Sequence, residues 1–169
     1  IYSMRQDAAY EGTISRLHGA AAAELRWPWV GTTRAGASHV IEPVVQLELA
    51  PSDNTDIPNE DSALVEFDEG NLFSLGRFSG ADAREEGNRV NVGLSWTRFD
   101  PSGWSLAFAA GRVFRTADEG QFSAASGLDG ATSDWLLASQ VSFPEGLSAT
   151  GRLLVDDVDG LSKAELRLD

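Results

Sequence analysis

Between positions 89 and 97 apolar and polar residues alternate without a break, Val90, Val92, Leu94 and Trp96 on one side and Asn91, Gly93, Ser95 and Thr97 on the other. Successive side chains of an extended chain point to opposite faces, so a period of two held this long reads as a two-faced β-strand. Asp100-Pro101-Ser102-Gly103 then combines a preset φ at proline with a permissive glycine. After it Trp104, Leu106, Phe108 and Ala110 resume the apolar side opposite Ser105, Ala107, Ala109 and Gly111, which makes the pair a hairpin. The same grammar recurs in residues 135–143, the turn Pro144-Glu145-Gly146, residues 147–155, the turn Asp157-Val158-Asp159-Gly160 and residues 161–168. In the last of these Ala164, Leu166 and Leu168 oppose Lys163, Glu165 and Arg167, so one face is charged and must be wet. Upstream, residues 17–29 and 36–50 read as two more strands. The first sets Gly19, Ala21, Ala23, Leu25, Trp27 and Trp29 against Ala20, Ala22, Glu24 and Arg26, and residues 2–10 are a further candidate. The expected class is all-β.

Composition narrows the setting. With 169 residues, 42% of them hydrophobic, the chain is long enough for one folded domain and too apolar for a disordered one. No run approaches the roughly 18 consecutive apolar residues of a membrane-spanning helix. A membrane barrel stays open, because its strands show lipid and lumen alternately and look only moderately hydrophobic on average. The net charge of -13 would repel a nucleic-acid backbone, so nucleic acid is excluded as a partner. Without cysteine there is neither a disulfide framework nor a thiolate metal site. The chain begins at Ile1 with no charged leader and apolar core behind it, which points to a fragment whose signal peptide, if it had one, lies elsewhere.

Two long connections interrupt the strand rhythm: residues 51–88, rich in Asp, Asn, Glu and Gly, and residues 116–134, rich in Gly, Ser and Ala. Loops of that size usually carry function. Short turns at one end and long loops at the other are the habit of an outer-membrane barrel, whereas a β-sandwich more often has turns of similar length at both ends. Trp27, Trp29, Trp96, Trp104 and Trp135, with Phe99, Phe114 and Phe143, stand at or near strand ends. That placement suits an aromatic girdle at a lipid interface, and equally the core of a soluble sandwich; period two is common to both.

Chemical motifs are sparse. Asp53, Asp56, Glu60, Asp61, Glu66, Asp68 and Glu69 offer carboxylate oxygens to a divalent cation, but their spacing fits no defined calcium loop and matches a solvated acidic loop. Asp157-Val158-Asp159-Gly160 lacks the first EF-hand ligand, because Val155 stands there, and reads as a hairpin turn. His18 and His39 form no zinc spacing, and neither a G-x-S-x-G elbow nor a glycine-rich phosphate loop occurs. No pair of carboxylates is placed on facing strands as a glycosidase requires. No catalytic residue, metal or cofactor is assigned.

A succession of short motifs carries a resemblance. His39-Val40-Ile41-Glu42-Pro43 is followed by Ile57-Pro58-Asn59-Glu60-Asp61-Ser62, by Glu66-Phe67-Asp68-Glu69-Gly70-Asn71-Leu72-Phe73, and by Arg77-Phe78-Ser79-Gly80-Ala81-Asp82-Ala83-Arg84-Glu85-Glu86-Gly87. In order and spacing this resembles the C-terminal barrel region of the lipopolysaccharide-assembly family LptD, strongly over residues 39–115 and by rhythm alone on the flanks. The resemblance marks Glu42, Pro43, Asn59, Asp61, Ser62, Asp68, Asn71, Leu72, Phe73, Arg77, Ser79, Gly80, Asp82 and Arg84 as the motif residues. It implies that residues 1–169 are an incomplete arc, about seven or eight strands, of a large antiparallel transmembrane β-barrel in the cell outer membrane. It further implies a conduit with no chemical step, whose partners are lipopolysaccharide, outer-membrane lipid, an LptE-like lipoprotein inside the lumen and the periplasmic Lpt bridge proteins. The family's jelly roll and lateral gate are expected outside this chain. On this view Asn91, Ser95, Arg152, Lys163, Glu165 and Arg167 line a hydrated lumen, and residues 51–88 form an outer loop folded partly into or over it. Two departures are visible: Ala83 separates Asp82 from Arg84 where the family runs Asp into Arg, and no cysteine is present for the inter-domain disulfides of some members.

Overall fold

The computed structural model describes residues 2–4, 12–14, 19–51, 64–80, 84–158 and 160–169. Strands β1 (Tyr2–Met4) and β2 (Gly12–Ile14) pair with each other in a small antiparallel sheet. The main sheet holds eight strands: β3 (Ala21–Arg26), β4 (Trp29–Thr32), β5 (Ser38–Leu49), β6 (Arg89–Phe99), β7 (Ser105–Arg115), β8 (Trp135–Ser142), β9 (Ser148–Asp156) and β10 (Gly160–Leu168). From β5 onward each strand pairs antiparallel with the next in sequence, while β3 and β4 share the free edge of β5; the sheet does not close. The expected strand over residues 17–29 is thus two shorter ones. The ladder lapses where Pro43 comes opposite Trp27 and Pro28 opposite Glu42, since neither proline has an N–H to give, and Trp27 N donates to Pro43 O at 3.1 Å in the gap. Of the candidate strand 2–10, residues 5–10 lie outside the described residues.

Tight turns close one end. Residues 100–104 and 143–147 join β6 to β7 and β8 to β9, with Gly103 and Gly146 at φ of 96° and 90°, where a side chain would be strained. Asp100 fixes the first turn by accepting from Ser102 N (3.1 Å), Ser102 Oγ (2.7 Å) and Arg98 Nη2 (2.8 Å). These bonds, the Ser102 ones foremost, hold its carboxyl below the ordinary value. At the other end lie the connections 50–88 and 116–134, together with the short turn before β10. The alternation of short and long connections therefore holds except at β9–β10.

Register settles which residues share a face. Leu47, Val90 and Phe114 lie in one row, and Ile41, Trp96 and Phe108 in another, so both rows stand on one face. Glu48, Arg89 and Arg115 form a row on the opposite face, as do Gln46, Asn91 and Val113. Along β5 the outcome inverts what a soluble half-buried strand shows: Val45, Leu47 and Leu49 are 47%, 45% and 49% exposed, while Gln46 and Glu48 are 4% and 0% exposed. The core explains the inversion. Phe67, Leu72 and Leu128 come from the two long loops and pack on Val113, Leu136 and Leu154 of the polar face. The loops fold back over the charged side of the sheet and leave its apolar side bare.

Candidate functional site: the loop-covered polar face

The loop before β6 is shaped by its own side chains. Asp68 Oδ1 accepts from Asn71 N (2.8 Å) and Asn71 Oδ1 from Asp68 N (3.1 Å), while Asn71 Nδ2 donates to Glu66 O (2.6 Å). This reciprocal turn aims Leu72 and Phe73 at the sheet. They fit because the sheet has no side chains there: a Cβ on Gly111 would stand 2.2 Å from Leu72 Cδ2, and one on Gly93 would stand 2.7 Å from Phe73 Cζ. Glycine is required at these two strand positions for close approach rather than for a turn.

Beyond Phe73 the loop is fastened by charge. Arg77 Nη1 donates to both oxygens of Glu85 (2.7 and 2.6 Å), and its Nη2 to Leu72 O (2.8 Å) and Asn91 Oδ1 (3.2 Å). Asn91 Nδ2 donates in turn to Gln46 Oε1 (2.6 Å), and Gln46 Nε2 to Phe73 O (3.1 Å) and Glu24 Oε2 (3.0 Å). Arg115 reaches Glu85 at 3.2 Å, and Arg89 lies 2.5 Å from Glu48 and 3.5 Å from Glu85. Arg77, Arg89, Glu48 and Glu85 have side chains of 0% exposure and Arg115 of 3%, so three cations and two anions are buried together. The Arg89–Glu48 contact is an ion pair without hydrogen-bond geometry; Glu48 Oε2, Arg77 Nε and Arg89 Nη1 also find no partner among the described residues. Such a cluster is costly to desolvate and is held by mutual attraction.

The same loop grips β9 and β10 differently. Glu69 takes Arg152 in a fork, Nε to Oε2 at 2.8 Å and Nη2 to Oε1 at 3.0 Å. Glu66 pairs with Lys163, and Glu165 joins Arg152 (2.9 Å) and Lys163 (3.0 Å). All of these side chains are partly exposed. The hydrogen bonds from Arg152 hold the Glu69 carboxyl below its ordinary 4.5. The second long loop is tied to the first: Phe67 N donates to Ser126 O (2.9 Å), Gln121 Nε2 to Arg84 O (3.1 Å), and Phe78 stacks on Phe122 at 5.2 Å.

The motif residues therefore divide. Asp68, Asn71, Leu72, Phe73 and Arg77 build and seat the loop. Glu42, on the polar face of β5, pairs with Arg26 (3.1 Å), and Pro43 stands on the apolar face at the ladder gap. Ser79 and Gly80 lie in the loop without a bond to the cluster, Ser79 exposed, and Arg84 contributes its carbonyl to Gln121. Asn59, Asp61, Ser62 and Asp82 lie outside the described residues, as do Asp53, Asp56 and Glu60 of the acidic segment. Asn91, Ser95, Arg152, Lys163, Glu165 and Arg167, expected to share a face, do so. Sequence reasoning missed Gln46, Glu48, Glu85, Arg89 and Arg115. The signal was Gln46 and Glu48 alternating with Val45, Leu47 and Leu49 in the second half of the strand.

On the apolar face His39 Nδ1 accepts from Trp96 Nε1 (3.2 Å), which accounts for that histidine as an aromatic-row partner. Across β5–β10 this face carries two charged side chains, Arg98 and Arg112, and each bends to a strand end. Arg98 reaches Asp100. Arg112 forks onto Asp157 (3.2 and 2.5 Å), donates from Nε to Ser133 O (2.7 Å), and lies over the Trp135 and Phe114 rings at 5.2 and 5.8 Å.

No curated protein sequence matches the chain. The family model that does match, over residues 2–169, is LptD, LPS transport system D. That family transports lipopolysaccharide in association with the outer membrane and with the Lpt pathway, and it is not an enzyme family. An antiparallel all-β chain matched over nearly its whole length in this way belongs to the LptD family of lipopolysaccharide-transport proteins.

Proposed function

We propose that these strands are an arc of an outer-membrane barrel, with the apolar face toward lipid, the polar face toward a hydrated lumen, and the loop segments 64–80 and 84–88 lying inside. The observation that carries this reading is the inverted polarity of the sheet. A soluble protein has no reason to cover Gln46 and Glu48 and leave Val45, Leu47 and Leu49 bare; a strand between lumen and lipid does. From Ile41 to Leu49 the apolar face runs roughly 27 Å along the strand, reduced to roughly 21 Å by a tilt of ~40°, near the ~25 Å apolar band of such barrels. Aromatic rings flank the band, Trp29, Trp96 and Phe108 toward the short turns and Phe114 and Trp135 toward the long loops. Arg98 and Arg112 leave the band by bending to its edges, as long cationic side chains do at an interface. By the barrel habit the short turns face the periplasm and the long loops the outside.

In function such an arc performs no chemistry. It separates a polar path, lined by residues such as Ser95 and Arg152, from the lipid, so that the sugar portion of lipopolysaccharide travels in water while its acyl chains meet the bilayer. An LptE-like lipoprotein in the lumen and the periplasmic Lpt bridge complete the route. Single cysteines placed in this cysteine-free segment, with any cysteine elsewhere in the protein replaced, test the orientation. In cells producing the full-length protein, spin labels at Leu47 and Leu153 are expected to meet oxygen dissolved in lipid, and labels at Ser95 and Thr150 a water-soluble relaxant. Equal access to the water-soluble reagent from both sets would sink the barrel reading. Depleting the protein while following newly made lipopolysaccharide at the cell surface tests the transport role; undiminished delivery would refute it.

A further inference from the structure

Three cations stand together on the polar face of the last two strands. Arg152 of β9 is paired across the ladder with Glu165, Lys163 lies opposite Leu154, and Arg167 lies opposite Thr150. Beside them opens a cavity of about 780 Å³ whose wall includes Gln140, Thr150, Arg152 and Arg167 together with the carboxylates of Glu69, Glu165 and Asp169, the last of which pairs with Arg167 at 2.9 Å. Two of the cations are taken up by carboxylates that come from the covering loop: Glu69 on Arg152 in a planar two-bond fork, Glu66 on Lys163. The fork is the geometry by which a guanidinium also grips a phosphate.

With Glu66 and Glu69 in place, Arg152 and Lys163 face Glu66, Glu69 and Glu165, two positive charges against three negative. Without the loop carboxylates they face Glu165 alone, two against one, and because Arg167 and Asp169 neutralise each other the cluster carries one net positive charge. Nothing buries these pairs: side-chain exposure runs from 21% for Arg152 to 48% for Glu66. Exposed pairs of this kind exchange partners at little cost.

We infer that Arg152 and Lys163, with Arg167 at the rim, form a phosphate-binding site for the headgroup of a phosphorylated glycolipid, and that Glu66 and Glu69 occupy it in place of the phosphates when no lipid is present. The site rests on the barrel reading, since it needs this face to be the lumen. Arrival of a phosphate displaces one carboxylate for one anion of similar shape and leaves the buried attachment of the loop at Arg77 and Glu85 untouched. The Glu66 and Glu69 side chains then swing aside, while the backbone between them stays down, held by buried Phe67 and its bond to Ser126 O.

The test uses the full-length protein in phospholipid nanodiscs with a photo-crosslinking residue at Thr150. The probes are purified lipopolysaccharide, lipid A carrying both phosphates, and the same lipid A dephosphorylated. Cross-linking to the phosphorylated probes should rise about fivefold in Glu66→Gln/Glu69→Gln, the scale of an exposed ion pair. It should vanish in Arg152→Gln/Lys163→Gln and return in Arg152→Lys/Lys163→Arg, which keeps both charges. Lipid A labelled as well as lipopolysaccharide assigns the phosphates to lipid A, and labelling by lipopolysaccharide alone assigns them to the core sugars. Equal labelling of the dephosphorylated probe, or no response to the variants, overturns the site. A second probe at Leu153, on the opposite face, separates the two failures: phospholipid adducts at Leu153 with Thr150 unresponsive refute the site alone, and no adduct at Leu153 refutes the barrel reading with it.

Discussion

One loop is attached to the sheet in two places, and the two attachments are built on opposite principles. Toward β5–β7 it is fixed by Arg77, Glu85 and the strand residues Glu48, Arg89, Asn91 and Arg115, all removed from solvent. Toward β9–β10 it is fixed by Glu66 and Glu69 on Lys163 and Arg152, all in contact with solvent. A buried ion cluster gains little over an apolar one when intact but loses heavily when one member is removed, because the rest stay uncompensated. An exposed pair gains little and loses little. The first attachment, with Phe67 in the core beside it, therefore sets where the loop is, and the second sets where its acidic side chains point.

Removing one partner from each attachment exposes the difference. Glu85→Ala leaves Arg77, Arg89 and Arg115 with only Glu48 to neutralise them, and about 3–5 kcal/mol of stability should go. Denaturant unfolding of the refolded full-length protein measures it, and limited proteolysis should find the loop newly cleavable between Leu64 and Gly80. A loss under about 1 kcal/mol would mean that water reaches the cluster and that the two attachments are alike.

The next effects concern the faces that the loop distinguishes. Leu47→Arg, on the apolar side near the long-loop end, should cost about 2–4 kcal/mol if that side meets the membrane core and less if it lies nearer the interface, while Ser95→Arg on the lumen side is tolerated. A reversed ranking in folding efficiency would exchange lipid and lumen. Gly111→Ala should cost about 1–3 kcal/mol by overpacking, because its Cβ would meet Leu72 Cδ2 at 2.2 Å and Val92 O at 2.8 Å. Adding Leu72→Ala relieves the side-chain clash but not the one with Val92 O, so a double-mutant cycle should show partial and not full recovery.

Much of this was legible beforehand, and for a physical reason. The alternation in β6, β7 and β10 depends on period two alone, which the chain carries in every residue, so strands, faces and turns came through. The break at Pro28 was missed because apolar residues continue on both sides of it, and only the register shows a second proline, Pro43, one step along the partner strand. Faces could be separated by sequence, but which of them is covered could not. Covering depends on Leu72 and Phe73 meeting Gly111 and Gly93, contacts between segments about 20 to 40 positions apart. Likewise Glu85 and Arg115 looked like ordinary loop and strand-end charges. Their burial follows from the loop's return over the sheet, which no local pattern states. Asp68, Asn71 and Arg77 were singled out through a family resemblance, and their work proves to be shaping and pinning the loop.

Acid should act on the exposed attachment and spare the buried one. Arg152 holds the Glu69 carboxyl below its ordinary value of 4.5, so the stabilisation is fully present above pH 4.5 and fades as pH falls through the lowered value. Glu69 is 40% exposed, which discounts the effect to a few tenths of a kcal/mol, too little to unfold anything. What it changes is local. On acidification below 4.5, amide exchange at Glu69 and Gly70, measured relative to its intrinsic rate at each pH, should quicken while that at Asn91, under the buried cluster, does not. Glu69→Gln should show the faster exchange already at neutral pH and no further acid response. If Asn91 loosened in step with Gly70, the loop would be one cooperative unit, and acidic side chains that let go while the anchor holds would be ruled out.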